Sequence, residues 1–221
     1  MRVCGDTRTL AATYLDAKRA VIEAGWAWEI DWQASLQFNR VTEPVFLREA
    51  AWVILCAGMK EAVVRSRFGR VSDAFLGWCS ARGIVEARRD CRRRALAAFK
   101  NLRKINAILG VADLVAAVSF DWIRTQVLEQ GVRYLQRLPF VGPVTSFHLA
   151  KNLGLQLAKP DRHMVRIAGA FGFSSVQSMC EAIASEVCDS VAVVDVVLWR
   201  YATLHSDYRD RLKRLYNQPF G

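Results

Sequence analysis

Residues 138–145, Leu-Pro-Phe-Val-Gly-Pro-Val-Thr, constrain the fold most, because they place two prolines and a glycine between two helical patterns. Apolar residues recur at helical spacing over 121–136, and a second helix is predicted over 144–153. Pro139 cannot continue the first helix, since it lacks an amide hydrogen and clashes with the preceding turn. The run therefore predicts a tight hairpin between two helices in an all-α chain.

The start of the second helix is predicted to bind an anion. Gly142 offers freedom in the sign of φ, and Pro143 suits the first position of a helix. Backbone N–H groups at Gly142, Val144 and Thr145 would point outward where the helix dipole is positive, which favours a phosphate. Pro143 removes one possible donor. The alternative is a plain helical hairpin without a ligand.

A single carboxylate follows seventeen residues after Val144. Pro160 disfavours helix at Lys159, so Asp161 is predicted to be the N-cap of the next helix. The first-turn amides and the helix dipole stabilise the negative charge of an N-cap aspartate. Capping alone is the simpler interpretation of this residue.

Residues 138–166 resemble the helix–hairpin–helix DNA glycosylase superfamily, which includes endonuclease III-like and 3-methyladenine glycosylases. The resemblance lies in Leu-Pro-Phe-Val-Gly at 138–142 and Pro-Asp-Arg-His at 160–163. It implies an all-α, two-lobed fold with a cleft between the lobes. One lobe would be a helical barrel over 45–155 that contains the hairpin, and the chain ends, 1–44 and 156–221, would form the other.

The resemblance also implies an activity. Asp161 would stabilise the oxocarbenium-like transition state and activate water as the N-glycosidic bond of a flipped base in duplex DNA breaks. Val144 occupies the position of the Schiff-base lysine of lyase-type members, so a monofunctional hydrolase is expected. Phe140 replaces the first hairpin glycine and is expected to avoid a left-handed backbone.

Two alternatives stay open. Lys151 lies seven residues after Val144, on the same helix face, and could serve as a substitute amine in a bifunctional glycosylase/lyase; an ion pair or a solvent contact is the plainer interpretation. The other alternative is a non-catalytic helix–hairpin–helix protein that only binds DNA.

Residues 54–60 resemble the family segment that fills the gap left by the flipped base, with Met59 or Lys60 as the wedge and Gly58 at the turn. An ordinary helix kink is the alternative. The candidates for the base pocket are aromatic side chains that can stack on a base, although each is individually typical of a core: Trp26, Trp28, Trp32 and Trp52. Lys159, Arg162 and Arg166 flank Asp161 and are candidate DNA contacts.

No cofactor or metal is predicted. The histidines His148 and His163 lack a third ligand at suitable spacing. The six cysteines form no C-x-x-C pair and no iron–sulfur spacing. They are typical of small core or helix-face residues in a reduced, intracellular protein, and they are Cys4, Cys56, Cys79, Cys91, Cys180 and Cys188. The resemblance to DNA glycosylases implies a cytoplasmic, nucleoid-associated location.

The charge indicates a polyanionic partner, because 31 Lys and Arg oppose 21 Asp and Glu, a net charge of +10. The resemblance to glycosylases implies that this partner is double-stranded DNA with a modified or damaged base, bound by a monomer. The base could be alkylated, deaminated or oxidised, and the setting repair or defence against foreign DNA. No signal peptide or membrane span is expected. Elsewhere the patterns predict an aromatic loop over 25–33 and one helix over 84–104.

Overall fold

The computed structural model describes residues 7–217, and these residues are helical throughout, with no strand among them. The predicted all-α class is therefore confirmed. Cys4 lies outside the described residues. Within 7–217, no single helix has the length and apolar composition to span a membrane; only one bent pair of neighbouring helices, Leu102–Val118 with Phe120–Gln130, meets both criteria together.

The helices are numbered in chain order. They are α1 (Thr7–Val21), α2 (Ala27–Ser35), α3 (Glu43–Cys56), α4 (Glu61–Ala74), α5 (Ala81–Glu86), α6 (Arg88–Ala98), α7 (Leu102–Val118), α8 (Phe120–Gln130), α9 (Val132–Leu135), α10 (Pro143–Asn152), α11 (Arg162–Ala170), α12 (Val176–Glu186), α13 (Val191–Leu204) and α14 (Tyr208–Tyr216).

The chain divides into two compact units. Unit 1 comprises Met1–Leu36 and Gly154–Gly221, described over 7–36 and 154–217, and unit 2 comprises Gln37–Leu153. The sequence analysis places the corresponding lobe boundaries between residues 44 and 45 and between residues 155 and 156.

Unit 1 is built on α13, a helix of mostly apolar residues that packs against α1, α2 and α12. A charged pair lies inside this apolar unit: Arg200 donates two hydrogen bonds to Glu29, of 2.7 and 2.8 Å. The Arg200 guanidinium also stacks 3.5 Å from the ring centre of Trp26. Removing one partner of such a pair leaves a buried charge, which typically costs about 3–5 kcal/mol.

Unit 2 is built on α3 and α7, which pack against each other and carry eight buried residues each. Helices α5 and α6 also pack on α7, and α10 packs on α3 and α9. Because α10 is the second helix of the predicted hairpin, the hairpin rests on the core of this unit.

Three secondary-structure predictions are wrong. The predicted helix over 121–136 is interrupted at Gly131, which has φ +57°, so that α8 ends at Gln130 and α9 begins at Val132. Residues 25–33 are not a loop: Gly25 has φ +85°, a kink that glycine adopts without strain, and α2 begins at Ala27 with Ile30 buried. The predicted helix over 84–104 is broken twice, at Ala87 and at 99–101. One break has a clear cause, because Asn101 is extended and its side chain accepts a hydrogen bond of 3.1 Å from Lys104 N–H, which starts α7.

Candidate functional site

The hairpin turn in unit 2 lies between α9 and α10, and two apolar side chains anchor it. Leu138 and Val141 are buried, and Val141 N–H donates to the Leu138 carbonyl at 3.1 Å. Pro143 begins α10, as predicted, and Gly154 follows the end of that helix with φ +87°. Positive φ is the usual conformation of the glycine that terminates a helix.

The backbone of the turn differs from the expectation at two residues. Phe140 has φ +66°, so the expectation that it avoids a left-handed backbone is wrong. Gly142 has φ −99° and does not use its freedom in the sign of φ. A side chain larger than glycine in the left-handed region costs about 1–2 kcal/mol, so contacts around Phe140 must hold it there.

The backbone amides at the start of α10 differ in their hydrogen bonding: one is bonded within the turn, and two have no acceptor within the helix. Gly142 N–H donates to Thr145 Oγ1 at 2.6 Å, and the first helical hydrogen bond runs from Ser146 N–H to the Gly142 carbonyl at 2.9 Å. The amides of Val144 and Thr145 precede that bond and have no acceptor within α10. A phosphate at this helix start would therefore bind these two amides, while the Gly142 N–H serves the turn.

Gly142 also leaves room for a side chain. A Cβ atom built there meets only Thr145 Oγ1, at 3.9 Å, an ordinary contact. The position therefore has space for the methyl group of an alanine.

Helix α7 supports the hairpin through Gly110. A Cβ atom built on Gly110 would lie 3.2 Å from Cγ of Pro139, closer than side chains normally pack. The absence of a side chain at 110 is what lets the turn approach α7 this closely.

Substituting Gly110 should therefore weaken unit 2. Gly110→Val is expected to lower the free energy of unfolding by about 1–3 kcal/mol, the usual effect of overpacking. Gly69→Ala is the matched control, because Gly69 lies in α4 with open space around it; it should raise stability by up to about 1 kcal/mol. Urea unfolding of both variants measures this, and a Gly110→Val protein as stable as Gly69→Ala would contradict the close packing.

Lys104, also on α7, joins the hairpin to another segment. Its side chain is 3% exposed, and Nζ donates to the carbonyls of Leu55 at 2.5 Å and Ala57 at 2.6 Å. The same ammonium lies 5.8 Å from the ring centre of Phe140. Burial lowers the pKa of Lys104, and the nearby Cys56 thiol partly opposes that shift.

The two carbonyls that Lys104 binds lie just before the candidate wedge. Gly58 has φ +68°, which makes the turn predicted at this position, and α4 starts after Lys60. Met59, between them, is 40% exposed. Unit 2 therefore brings the candidate wedge and the hairpin to the same buried ammonium.

The candidate catalytic carboxylate lies in unit 1. Asp161 is the N-cap of α11, as predicted, and its Oδ1 accepts hydrogen bonds from His163 N–H at 2.9 Å and Met164 N–H at 3.1 Å. Oδ2 lies 3.9 Å from Lys159 Nζ, and the side chain is 16% exposed. One oxygen fixes the orientation of the carboxylate, and in the described part of the chain the other accepts no hydrogen bond.

The loop before Asp161 is held by side chains that the sequence analysis missed. Lys159 N–H donates to Asp195 Oδ1 at 2.8 Å, and Ala158 N–H donates to Gln177 Oε1 at 2.8 Å. Asp195 is buried in the middle of apolar α13. A single carboxylate within an otherwise apolar helix could have identified Asp195 as the partner of another segment, because buried charges need polar partners.

Basic and aromatic groups surround the start of α11. Arg162 and Arg166 are exposed, and Arg162 Nε donates to His163 Nε2 at 3.3 Å. The His163 ring packs edge-on against Tyr208 at 5.5 Å. Burial lowers the pKa of His163; Asp161 acts against the shift, and the neighbouring cations add to it. A neutral imidazole is therefore favoured beside Asp161.

The four candidate pocket tryptophans lie in different surroundings. Trp26, Trp28 and Trp32 belong to unit 1; Trp26 has Arg200 against one face, and Trp28 is 48% exposed, 5.7 Å from Trp26. Trp52 belongs to unit 2, edge-on to Phe68 at 5.0 Å. Trp28 thus has the most exposed ring surface of the three in unit 1, since Trp26 and Trp32 are partly buried.

The two positions considered for an amine differ in accessibility. Val144 is 40% exposed at the start of α10, whereas Lys151, near the end of the same helix, is 6% exposed. His148 is partly buried between them. Among residues 7–217, no three His, Cys, Asp or Glu side chains are grouped so that they could hold a metal ion.

No family model matches the chain. No curated protein matches it significantly either.

Proposed function

We propose that this protein is a DNA glycosylase that hydrolyses the N-glycosidic bond of a flipped, modified or damaged base in duplex DNA. The observation that carries the proposal is the state of Asp161: two first-turn amides fix Oδ1, while Oδ2 accepts no hydrogen bond among the described residues and lies 3.9 Å from the Lys159 ammonium. A carboxylate held in this way needs little reorganisation when a positive charge develops beside it.

The chemistry of the bond determines what Asp161 would do. Departure of a base leaves positive charge on the sugar, in an oxocarbenium-like transition state. The Asp161 carboxylate stabilises that charge, and Oδ2 orients or deprotonates the attacking water. The hydrogen bonds from Lys159 to Asp195 and from Ala158 to Gln177 keep the approach to the carboxylate rigid.

Unit 2 would hold the duplex. The amides of Val144 and Thr145 bind a backbone phosphate, and Met59 or Lys60 fills the space that the flipped base leaves. Lys159, Arg162 and Arg166 contact phosphates near the reacting nucleotide. In this proposal the two units correspond to the two lobes of a helix–hairpin–helix glycosylase, and an aromatic ring such as Trp28 stacks on the base.

Binding should depend strongly on salt. If the hairpin amides and cations together engage about four phosphates, duplex affinity should fall by about a hundredfold between 50 and 200 mM salt. Replacing Arg166 with Gln should reduce the slope by about one counterion. Arg19→Gln is the control, because it removes the same charge from an exposed position paired with Asp16. A duplex affinity that does not change between 50 and 200 mM salt would argue against a nucleic-acid partner.

The direct test of the function is a panel of duplexes carrying alkylated, deaminated, oxidised or otherwise modified bases, scored for abasic sites. At least one duplex should yield abasic sites without a direct strand break. Binding to the duplexes with no excision from any of them would favour the alternative of a non-catalytic helix–hairpin–helix protein that only binds DNA. Strand cleavage that Lys151→Ala abolishes would favour the bifunctional alternative, although the burial of Lys151 speaks against it.

A further inference from the structure

Three segments of unit 2 meet at one ammonium group. Lys104 Nζ binds the carbonyls of Leu55 and Ala57, at the end of α3, and lies over the ring of Phe140 in the hairpin turn. Two of the three ammonium hydrogens are donated to these carbonyls, and the ring centre of Phe140 lies 5.8 Å from the same nitrogen. Lys104 is therefore engaged as a structural cation rather than presented as a nucleophile.

The partners of Lys104 are groups that need a cation. The Leu55 carbonyl belongs to the last turn of α3, where carbonyls lack helical partners and the helix dipole is negative. The chain then turns away at Ala57 towards Gly58 and Met59, and the Lys104 ammonium donates to both oxygens. A buried ammonium also gains from an aromatic face when it is removed from water.

We propose that Lys104 is a positioning residue that locks residues 57–60 to the hairpin, so that the gap-filling loop and the phosphate-binding turn meet the duplex in a fixed spacing. This inference rests on the proposed function. The contact with Phe140 also explains why a phenylalanine holds a left-handed backbone in the turn, since the ring contact offsets part of the strain.

The benefit of such a lock is pre-organisation. A loop that already has its bound conformation loses less freedom when it enters the duplex, so more of the contact energy appears as affinity. The lock should matter for DNA that has a gap to fill, and it should matter little for intact duplex, which the hairpin and cations bind through the backbone.

The test compares two duplexes, one intact and one with a tetrahydrofuran abasic analogue, by fluorescence anisotropy. The wild-type protein should prefer the abasic duplex. Lys104→Met keeps the aliphatic stem and removes the ammonium; it should reduce that preference by about tenfold, the scale of a hydrogen bond to a charged group. Lys100→Met is the matched control, because it removes the same charge from an exposed position nearby.

Phe140→Leu keeps the test decisive if Lys104→Met does not fold. It removes the ring contact from an exposed position without leaving a buried carbonyl unpaired, and it should reduce the preference by about threefold. If Lys104→Met folds and its preference for the abasic duplex is unchanged, the role of Lys104 is overturned. If only Phe140→Leu folds, an unchanged preference in that variant has the same meaning. Neither result would contradict the glycosylase proposal itself. A wild-type protein without any preference for the abasic duplex would instead count against the gap-filling loop and base flipping.

Discussion

Asp161→Asn is expected to reduce base excision by about a hundredfold or more on any duplex that the wild-type protein processes, since a positioned electrostatic or general-base group is lost. Asparagine is also a good N-cap, so it can accept the hydrogen bonds from His163 and Met164. Thermal unfolding and DNA affinity should therefore stay close to the wild-type values. Single-turnover excision measured beside Tm separates the catalytic effect from the structural one.

Two controls make this result specific. Asp210→Asn removes an acidic group from the first turn of α14 in the same unit, and excision should be unchanged. Asp161→Ala removes both the charge and the cap, so it should lose activity and also about 1 kcal/mol of stability. If Asp161→Asn excises at the wild-type rate, the carboxylate is only a helix cap.

Val144→Lys is expected to create a lyase-type amine where the wild-type protein has none. Val144 is exposed in the first turn of α10, at the position of the Schiff-base lysine in the family that the chain resembles. A lysine there could attack C1′ of an abasic site and form an imine, which borohydride reduces to a stable amine. The wild-type protein should give no trapped complex, whereas the variant should give a clear one.

Leu128→Lys is the matched control for this gain. Leu128 is an exposed residue of α8 in the same unit, so the change adds the same charge and amine away from the hairpin. Equal trapping by both variants would show that the adduct forms non-specifically. Trapping by the wild-type protein that disappears in Lys151→Ala would identify Lys151 as the amine and contradict the monofunctional mechanism.

The helices could largely be predicted from the sequence because their apolar periodicity is strong, as in α1 and α11. The breaks between them were harder to predict. Gly25 separates two helices through its backbone conformation, and Asn101 starts a helix through a single side-chain cap. Neither residue changes the apolar pattern enough to be recognised in the sequence. A short amphipathic helix such as α2, rich in aromatic residues, looks like a loop when only its composition is considered.

The site was predictable where a residue acts on its own backbone. Pro160 and Asp161 indicate the start of α11 in the sequence because helix capping is a local interaction. Gly58 indicates the turn after α3 in the same way. Lys104, Gly110 and Asp195 were not recognised, because their roles depend on segments distant in sequence: the end of α3, the hairpin turn and the loop before α11. Phe140 was misjudged for the same reason, since contacts with another helix hold a backbone that its own residue type disfavours.

The central claim, that Asp161 faces a sugar carrying positive charge, can be tested without knowing the base. The measurement is the Kd for a duplex with a cationic pyrrolidine abasic nucleotide, compared with the Kd for a duplex with the neutral tetrahydrofuran analogue. The wild-type protein should bind the cationic duplex at least about tenfold more tightly, because it resembles the transition state, and Asp161→Asn should abolish the difference. Equal affinities for the two duplexes, or a preference that survives in Asp161→Asn, would contradict the claim.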